Sequence, residues 1–406
     1  MSKKEALNSI LAVVLGLIAG AILMFIIGDN PAEGYAYLYK GALINFKRFG
    51  DTLATATPLI LTGLSVGFAF KTGLFNIGTP GQMLFGGFCA TVIGLTYGAV
   101  LPRVILLLVM IVAGAIAGAL WAFVPGVLKA KFNVNEVVSA IMMNWICYWI
   151  VYYAIPAYFK GSTETESKSI VEAASLKTKW LTDLFSGSYI NLGIFIAVIA
   201  VIVIAFILNK TVLGYELKAV GFNKSAAEYA GMSVNRNIVV SMMIAGALSG
   251  LAGVAQYVGN ASNMQIGVMP SQGFDGIAVS LLGANNPVGI LISALFFGVL
   301  YSGKGFMNAN TNIPPEIADT IIATIIYFAA ISAAVPMIVN AIKHRKAMAQ
   351  AKVAENNAVS SNTKPEENHD ENKEENKELE KDNIESGQNN IEEPKETEDI
   401  DNKEEK

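Results

Sequence analysis

The stretch GYELKAVGFNKSAAEYAGM, residues 214–232, is polar but lies between two long apolar runs. Asn223 is a suitable N-cap for a helix over 224–230, and Gly231 stands where a left-handed residue would end that helix. Upstream, an apolar patch ends at Gly221, which we interpret as a hinge between two short helices. The segment is too polar to cross a bilayer, so its helices need a partner at a membrane surface.

The apolar runs on both sides of this segment indicate a membrane protein. The chain has 406 residues, of which 53% are hydrophobic and 15% charged, and its mean hydropathy is +0.46. These values lie outside the range of ordinary soluble domains. Since a helix needs about 20 apolar residues to cross a bilayer, the sequence predicts an all-α membrane protein, a polytopic helical bundle of about ten transmembrane segments. The predicted segments are 6–28, 52–70, 77–97, 104–128, 137–159, 190–208, 238–257, 273–283, 288–302 and 317–342.

The charges divide the chain into two parts and give it an orientation. Residues 355–406 carry 19 acidic and 7 basic side chains and few apolar ones, which predicts a disordered acidic cytoplasmic tail. Residues 1–354 form the predicted transmembrane domain, with outer loops at 29–51 and 160–188 and a cytoplasmic loop at 209–236. The loops assigned to the inside hold 13 Lys and Arg against 9 outside. We therefore expect a multi-pass plasma-membrane protein with both termini in the cytoplasm.

Side chains that carry catalysis are scarce in the apolar part of the chain. Its two cysteines, Cys89 and Cys147, lie within apolar runs, and the two histidines stand close to or within the tail. This leaves neither a histidine base nor a metal cluster in the membrane, which argues against an enzyme. The stretch GVLYSGKG at 298–305 nearly matches a phosphate-binding loop. However, Gly305 replaces the required Ser or Thr and no strand precedes it, so we predict a helix end with small residues.

Two interrupted segments point to a solute path. Residues 77–82 read IGTPGQ and residues 266–273 read IGVMPSQG, and the predicted topology brings them in from opposite faces. Irregular backbone in a membrane is tolerated where it is buried in protein or lines a cavity, and matching breaks in inverted halves mark transporter sites. Polar and aromatic side chains near these regions are candidates for the path, although single amides more often bridge helices. The candidates are Asn76, Gln82, Asn144, Trp145, Gln256, Asn260 and Asp275.

Three motifs together resemble one family. The stretch at 214–232 resembles the cytoplasmic coupling loop of ABC-importer permeases, in the branch that carries simple sugars, nucleosides and branched-chain amino acids. FNIGTPGQMLFGGF at 75–88 is similar to the early motif of that branch, and GFDGIAVSLLGANNPVGILISALFFG at 273–298 to its late helical hairpin. The resemblance covers roughly 53–339. The Gly-Thr-Pro-Gly-Gln form and the large first outer loop look most like the nucleoside permeases.

The resemblance implies a membrane-spanning permease with alternating access that is not itself an enzyme. A separate cytoplasmic ATPase would bind ATP, so no cofactor is expected on this chain. An extracellular solute-binding protein would deliver a small solute, and a second permease chain, paralogue or copy, would complete the path; no nucleic acid is implied. In the coupling loop, alanines would pack in a groove of the ATPase, Asn223 and Gly231 would fix the helix ends, and two glutamates would meet basic residues of the ATPase. The residues implied in coupling are Glu216, Ala219, Gly221, Asn223, Ala226, Ala227, Glu228, Ala230 and Gly231.

Other interpretations remain open at this stage. An ion-gradient-driven secondary transporter needs buried interacting carboxylates, and Asp275 is the single candidate. An ABC permease for sugars or branched-chain amino acids would share the same motifs. The segment 214–232 could also be an amphipathic loop that packs only against its own bundle.

Overall fold

The structure is a computed structural model that describes residues 3–329 and 331, with side chains from residue 7 onward. The chain divides into two units, 1–340 and 341–406, and all described residues belong to the first. The predicted disordered tail at 355–406 and the end of the last predicted segment lie outside the described residues.

The described part of the chain is built from helices joined by short loops. The helices are α1 (Lys3–Ile27), α2 (Pro31–Leu43), α3 (Phe46–Lys71), α4 (Thr79–Tyr97), α5 (Arg103–Phe132), α6 (Glu136–Tyr158), α7 (Lys179–Leu184), α8 (Gly193–Lys210), α9 (Val212–Phe222), α10 (Lys224–Tyr229), α11 (Val234–Val254), α12 (Ser271–Leu282) and α13 (Pro287–Asn310). A π-helix, Ala255–Asn260, continues α11, a 3₁₀ turn covers Glu172–Ala174, and a further helix, α14, covers 316–329. The all-α prediction is confirmed for this part of the chain.

Seven helices of the described residues are long and apolar enough to cross a membrane, namely α1, α3, α5, α6, α8, α11 with its π-helix, and α13. They correspond to the predicted segments that begin at residues 6, 52, 104, 137, 190, 238 and 288. The segments predicted at 77–97 and 273–283 form α4 and α12, which do not reach this criterion, and the last segment is described only in part. The chain is therefore a multi-pass membrane protein.

The predicted outer loop at 29–51 contains a helix, α2, that the sequence analysis did not identify. Asn30 accepts a hydrogen bond from the Ala32 backbone N–H at 3.0 Å, and Pro31 occupies the first helical position of α2. Gly41 lies so close to α13 that a Cβ would stand 3.0 Å from the Gly303 carbonyl oxygen. The helix thus lies against the bundle, and a break at 44–45, too short to show in hydropathy, separates it from α3.

Glycines bring α4, α5 and α11 into backbone contact. A Cβ on Gly250 of α11 would overlap the carbonyl oxygen of Gly114 in α5, and one on Gly246 would overlap that of Gly118. A Cβ on Gly86 of α4 would overlap the Gly250 Cα and stand 2.8 Å from the Gly114 carbonyl oxygen. The four-residue spacing in both α5 and α11 is the small-xxx-small pattern that lets membrane helices approach closely. This spacing was visible in the sequence and was missed there.

The near-match to a phosphate-binding loop lies inside a helix. Residues 298–305 belong to α13, which continues to Asn310 as regular α-helix, so no loop is present to wrap a phosphate. The prediction that this stretch is not a nucleotide site agrees with the structure. The prediction that a helix ends there is wrong, since α13 is longer than expected.

Candidate functional site

The segment 214–232 folds as two short helices with the predicted end caps. The Asn223 side chain accepts a hydrogen bond from the Ala226 backbone N–H at 3.0 Å, and this begins α10. Gly231 has a φ of +81°, and the Met232 N–H donates to the Ala227 carbonyl at 3.0 Å. Such a left-handed end satisfies the last carbonyls of a helix. The N-cap and the C-terminal glycine are therefore confirmed.

The hinge between the two helices lies at Asn223 and not at Gly221. Helix α9 continues to Phe222, and Asn223 takes the extended conformation, with φ −157° and ψ 110°. Gly221 has another role: its Cα lies against the end of α3, where a Cβ would stand 2.9 Å from the Thr72 carbonyl carbon. Glycine is required at 221 because the backbones of α9 and the 71–73 turn touch.

The segment buries one face and exposes another, and the division differs from the prediction. Leu217 and Val220 are fully buried against the bundle, and Ala227 is only 4% exposed. The exposed side chains include three aromatics, of which Phe222 at 94% and Tyr229 at 95% are almost fully exposed and Tyr215 is 66% exposed. Among the predicted docking alanines, Ala226 and Ala230 are exposed and Ala219 is half-buried, so the alanines do not share one free face.

The two glutamates of this segment have different surroundings. Glu216 accepts a hydrogen bond from the Asn237 amide at 3.0 Å, which ties α9 to the start of α11. Glu228 is exposed on α10. Glu228 is therefore accessible for the predicted pairing with a basic residue of the ATPase. Glu216 already accepts a hydrogen bond within the chain.

Three of the predicted path amides form a network that holds the first interrupted segment. Asn76 and Gln82 exchange two side-chain hydrogen bonds of 2.9 Å. Asn76 also donates to the Ser65 hydroxyl, which accepts a bond from Ser249 of α11. These groups are buried, so their mutual bonds satisfy the polar atoms of a broken helix inside the bundle.

Asn144 completes this network from α6. Its side-chain oxygen accepts from the Gly81 N–H at 2.9 Å, and its amide nitrogen donates to the Ile77 carbonyl at 3.0 Å. Asn144 is buried, whereas the neighbouring Trp145 is half exposed and stands against Tyr148 on another face of α6. The structure thus brings Asn76, Gln82 and Asn144 together and leaves Trp145 apart from them.

The two interrupted segments meet inside the bundle. Helix α4 begins at Thr79, after residues 72–78 have turned back from the end of α3, and α12 begins at Ser271. A Cβ on Gly273 would stand 2.6 Å from the Pro80 backbone nitrogen. The first turns of α4 and α12 are therefore in backbone contact at the two Pro-containing motifs, where each interrupted segment enters its helix.

Gln256 and Asn260 lie together on the π-helix that ends α11. Asn260 donates to the Ala54 carbonyl of α3 at 2.9 Å and to the Gln256 side chain at 3.2 Å, and it accepts from Asn191 at 2.8 Å. A π-helix is uncommon and frequently marks a functional site, because it turns side chains away from their regular positions. Here it directs Gln256 toward a cavity.

The cavity has a volume of about 370 Å³ and lies between the π-helix and the start of α12. None of its lining residues carries a charge. They are Gln256, Tyr257, Ala261, Asn263, Gln265, Val268, Met269, Pro270, Ser271 and Gln272. The volume falls in the range of about 300 to 1,000 Å³ that is usual for small-molecule sites. Sequence reasoning singled out Gln256 but not Gln265 or Gln272, although Gln272 belongs to the quoted motif IGVMPSQG.

Part of the outer loop predicted at 160–188 lies along this cavity. The Ser167 N–H donates to the Met264 carbonyl at 2.9 Å and the Ile266 N–H to the Thr165 carbonyl at 2.9 Å. The Glu166 carboxylate accepts from the Asn263 amide. At the same hairpin, Lys160 lies 2.8 Å from Glu164 and lowers the pKa of that carboxyl group. The loop is thus paired with the segment that leads into α12.

Asp275 belongs to a separate polar group farther along α12. Its carboxylate is half-buried and lies near the side chains of Tyr301, Ser271 and Lys304. The nearest cation is Lys304, which pairs with Asp319 at 2.8 Å. Asp275 therefore neither simply faces water nor joins the amide network, and its group ties α12, α13 and α14 together.

Comparisons with known proteins agree with these features. The chain matches the family model of the branched-chain amino acid transport system permease component over residues 49–330. A guanosine ABC transporter permease protein of Bacillus subtilis is 41% identical over 339 residues, which cover 83% of this chain and 97% of that protein. A nucleoside ABC transporter permease protein of Lactococcus lactis is 40% identical over 334 residues, 81% and 91% of the two chains. A glucose ABC transporter permease protein of Haloferax volcanii is 31% identical over 328 residues, 79% and 85%.

Proposed function

Because this chain belongs to the family of branched-chain amino acid transport system permease components, we propose that it is the membrane-spanning permease of an ABC importer for nucleosides. Two relatives at 41% and 40% identity are named for guanosine and nucleosides and align over 97% and 91% of their length. The structural observation that carries the proposal is the capped α9–α10 unit, which buries one face and exposes Phe222 and Tyr229. The permease itself is not an enzyme.

The proposal includes ten crossings and a fixed orientation. Helices α4 and α12 count as crossings because each spans the bundle together with the irregular segment before it. With α14 as the tenth, both termini and the α9–α10 unit lie in the cytoplasm, in agreement with the excess of Lys and Arg in the inner loops. The 160–188 loop and the cavity then face outward.

The partners follow from the family and from the exposed surface. An ABC permease works with a cytoplasmic ATPase, which binds and hydrolyses ATP, and with a solute-binding protein outside the cell. We place the ATPase at Phe222 and Tyr229, since large exposed aromatics are the usual anchors of a protein interface. A second permease chain, copy or paralogue, completes the transporter.

A mechanical route leads from this surface to the contact between the starts of α4 and α12. Movement of α9 presses on the 71–73 turn through the backbone contact at Gly221. The next residues, 75–82, are held by the amide network of Asn76, Gln82 and Asn144 and carry the start of α4. Helix α4 in turn touches α12 at Gly273. Docking and ATP hydrolysis in the ATPase would thereby open and close the path at the Pro80–Gly273 crossing.

The coupling surface is tested by co-purification of the ATPase in detergent from the native membrane. We expect Phe222→Asp with Tyr229→Asp to abolish the association while the permease stays folded, because both side chains are almost fully exposed in the single chain. Tyr158→Asp is the matched control, since Tyr158 is an exposed aromatic of α6 away from this segment. Equal recovery of the ATPase with the double variant would contradict the docking proposal. Ala227→Arg would be uninformative, because Ala227 is buried within the chain.

A sugar importer is the second candidate function. The glucose permease relative favours it, and a neutral cavity lined by amides also suits a sugar. An ion-gradient mechanism has less support, because the carboxylate near Asp275, that of Asp319, is paired with Lys304. Guanosine uptake by proteoliposomes, measured with excess glucose or with ionophores, separates these alternatives.

A further inference from the structure

We propose that the cavity between the π-helix and α12 is a solute subsite that accepts uncharged nucleosides and rejects their phosphates. The inference rests on the proposed function, and it adds the site and the chemical class that the site selects. Three glutamine side chains, Gln256, Gln265 and Gln272, would make the polar contacts.

The glutamines have unused hydrogen-bonding capacity. Within the part of the chain that the structure describes, the side chains of Gln265 and Gln272 make no hydrogen bond, and Gln256 uses only its oxygen, toward Asn260. Each amide offers two donors and an acceptor, the groups that bind base edges and ribose hydroxyls. The cavity therefore presents donors and acceptors that the protein itself does not satisfy.

The two Pro-x-Gln motifs differ in a way that supports this assignment. In the first, Gln82 is buried and bonded in both directions to Asn76. In the second, Gln272 is half-buried, lines the cavity and has no such partner. The first motif thus holds the crossing together, whereas the second leaves its amide free at the same crossing, one residue from Gly273.

The charges around the cavity disfavour anions. No residue that lines the cavity is basic. The Glu166 carboxylate is hydrogen-bonded to the side chain of Asn263, which lines the cavity, and so brings a negative charge close to it. A phosphate would enter this space without a cation and would be repelled by Glu166, whereas a neutral nucleoside loses nothing from that charge. The volume of about 370 Å³ suits a ligand of nucleoside size.

The test is protection of an introduced thiol in the complete transporter. We would label Gln272→Cys in cells with a membrane-impermeant methanethiosulfonate reagent, with guanosine or guanosine 5′-monophosphate added outside. We expect guanosine to slow labelling at least about threefold, the occupancy effect of a modest affinity, and the monophosphate to leave the rate unchanged. Asn310→Cys, an exposed amide position outside the cavity, is the control, and the unsubstituted protein measures the background from Cys89 and Cys147.

A second variant ties the site to transport. Gln272→Ala should lower ATP-driven guanosine uptake about three- to tenfold, the loss of one neutral hydrogen bond, while the ATPase still co-purifies; Asn310→Ala should change neither. Equal labelling of Gln272→Cys with and without guanosine would overturn the subsite, and equal protection by the monophosphate would overturn its preference for neutral solutes. If no ATPase co-purified with the unsubstituted chain, the proposed function would be overturned. The labelling result would still show whether the cavity binds guanosine.

Discussion

Gly250→Leu is expected to prevent the folding of the bundle. A Cβ on Gly250 would overlap the Gly114 carbonyl oxygen of α5 and stand 3.2 Å from the Gly118 Cα, and Gly86 of α4 packs so closely that its own Cβ would overlap the Gly250 Cα. The atoms that this Cβ would meet all belong to the backbone, so no flexible side chain can move aside. Overpacking a tight core costs about 1 to 3 kcal/mol even where side chains can adjust, and here whole helices must separate. In a membrane no hydrophobic effect between helices compensates for that separation.

Size-exclusion chromatography of the detergent-solubilised chain measures this effect. Gly250→Leu should give little monodisperse protein and a lower unfolding temperature. Gly305→Leu is the matched control, because nothing lies within 4 Å of a Cβ at Gly305 in α13. If Gly250→Leu were as monodisperse and as stable as Gly305→Leu, the glycine packing of α4, α5 and α11 would be wrong.

Gly273→Val is expected to stop transport while the coupling surface is preserved. The Cβ would stand 2.6 Å from the Pro80 backbone nitrogen, and the two added methyl groups would push the starts of α4 and α12 apart. Since a displacement of about 1 Å can cost a transporter or enzyme its working geometry, we expect uptake to fall at least about tenfold. Phe222 and Tyr229 belong to α9 and α10, so ATPase co-purification should continue.

The control for Gly273→Val is the same substitution at Gly305. Gly305→Val adds the same side chain in open space and should retain uptake within about twofold, as expected for a surface substitution. Normal uptake by Gly273→Val would show that the contact between the starts of α4 and α12 is not part of the path.

The long apolar segments and the ends of α10 followed from the sequence, because both depend on local chemistry. Hydropathy marks a crossing, and Asn223 and Gly231 act through their own backbone surroundings. The docking alanines could not be judged in this way. Ala226 and Ala227 are identical in type, yet only the second is buried, and the difference arises from how α10 rests on the bundle.

The candidate path was predictable as a set of polar residues but not as an arrangement. Asn76, Gln82 and Asn144 form one network, and Gln256 and Asn260 belong to another region, because each pairing joins helices distant in sequence. Gln272 was visible in its motif. Gln82 is bonded to Asn76, whereas the Gln272 side chain has no hydrogen-bond partner among the described residues. Only the three-dimensional structure can show this difference.

The most direct test of the proposed function is guanosine uptake by proteoliposomes that contain this chain with its co-purified partners. The proposed function predicts uptake that requires ATP on the ATPase side, continues when ionophores collapse all ion gradients, and is not inhibited by excess glucose. Uptake that needs no ATP and stops with the ionophores would contradict it and would favour a gradient-driven transporter. ATP-driven uptake of glucose but not guanosine would retain the ABC importer and replace its solute.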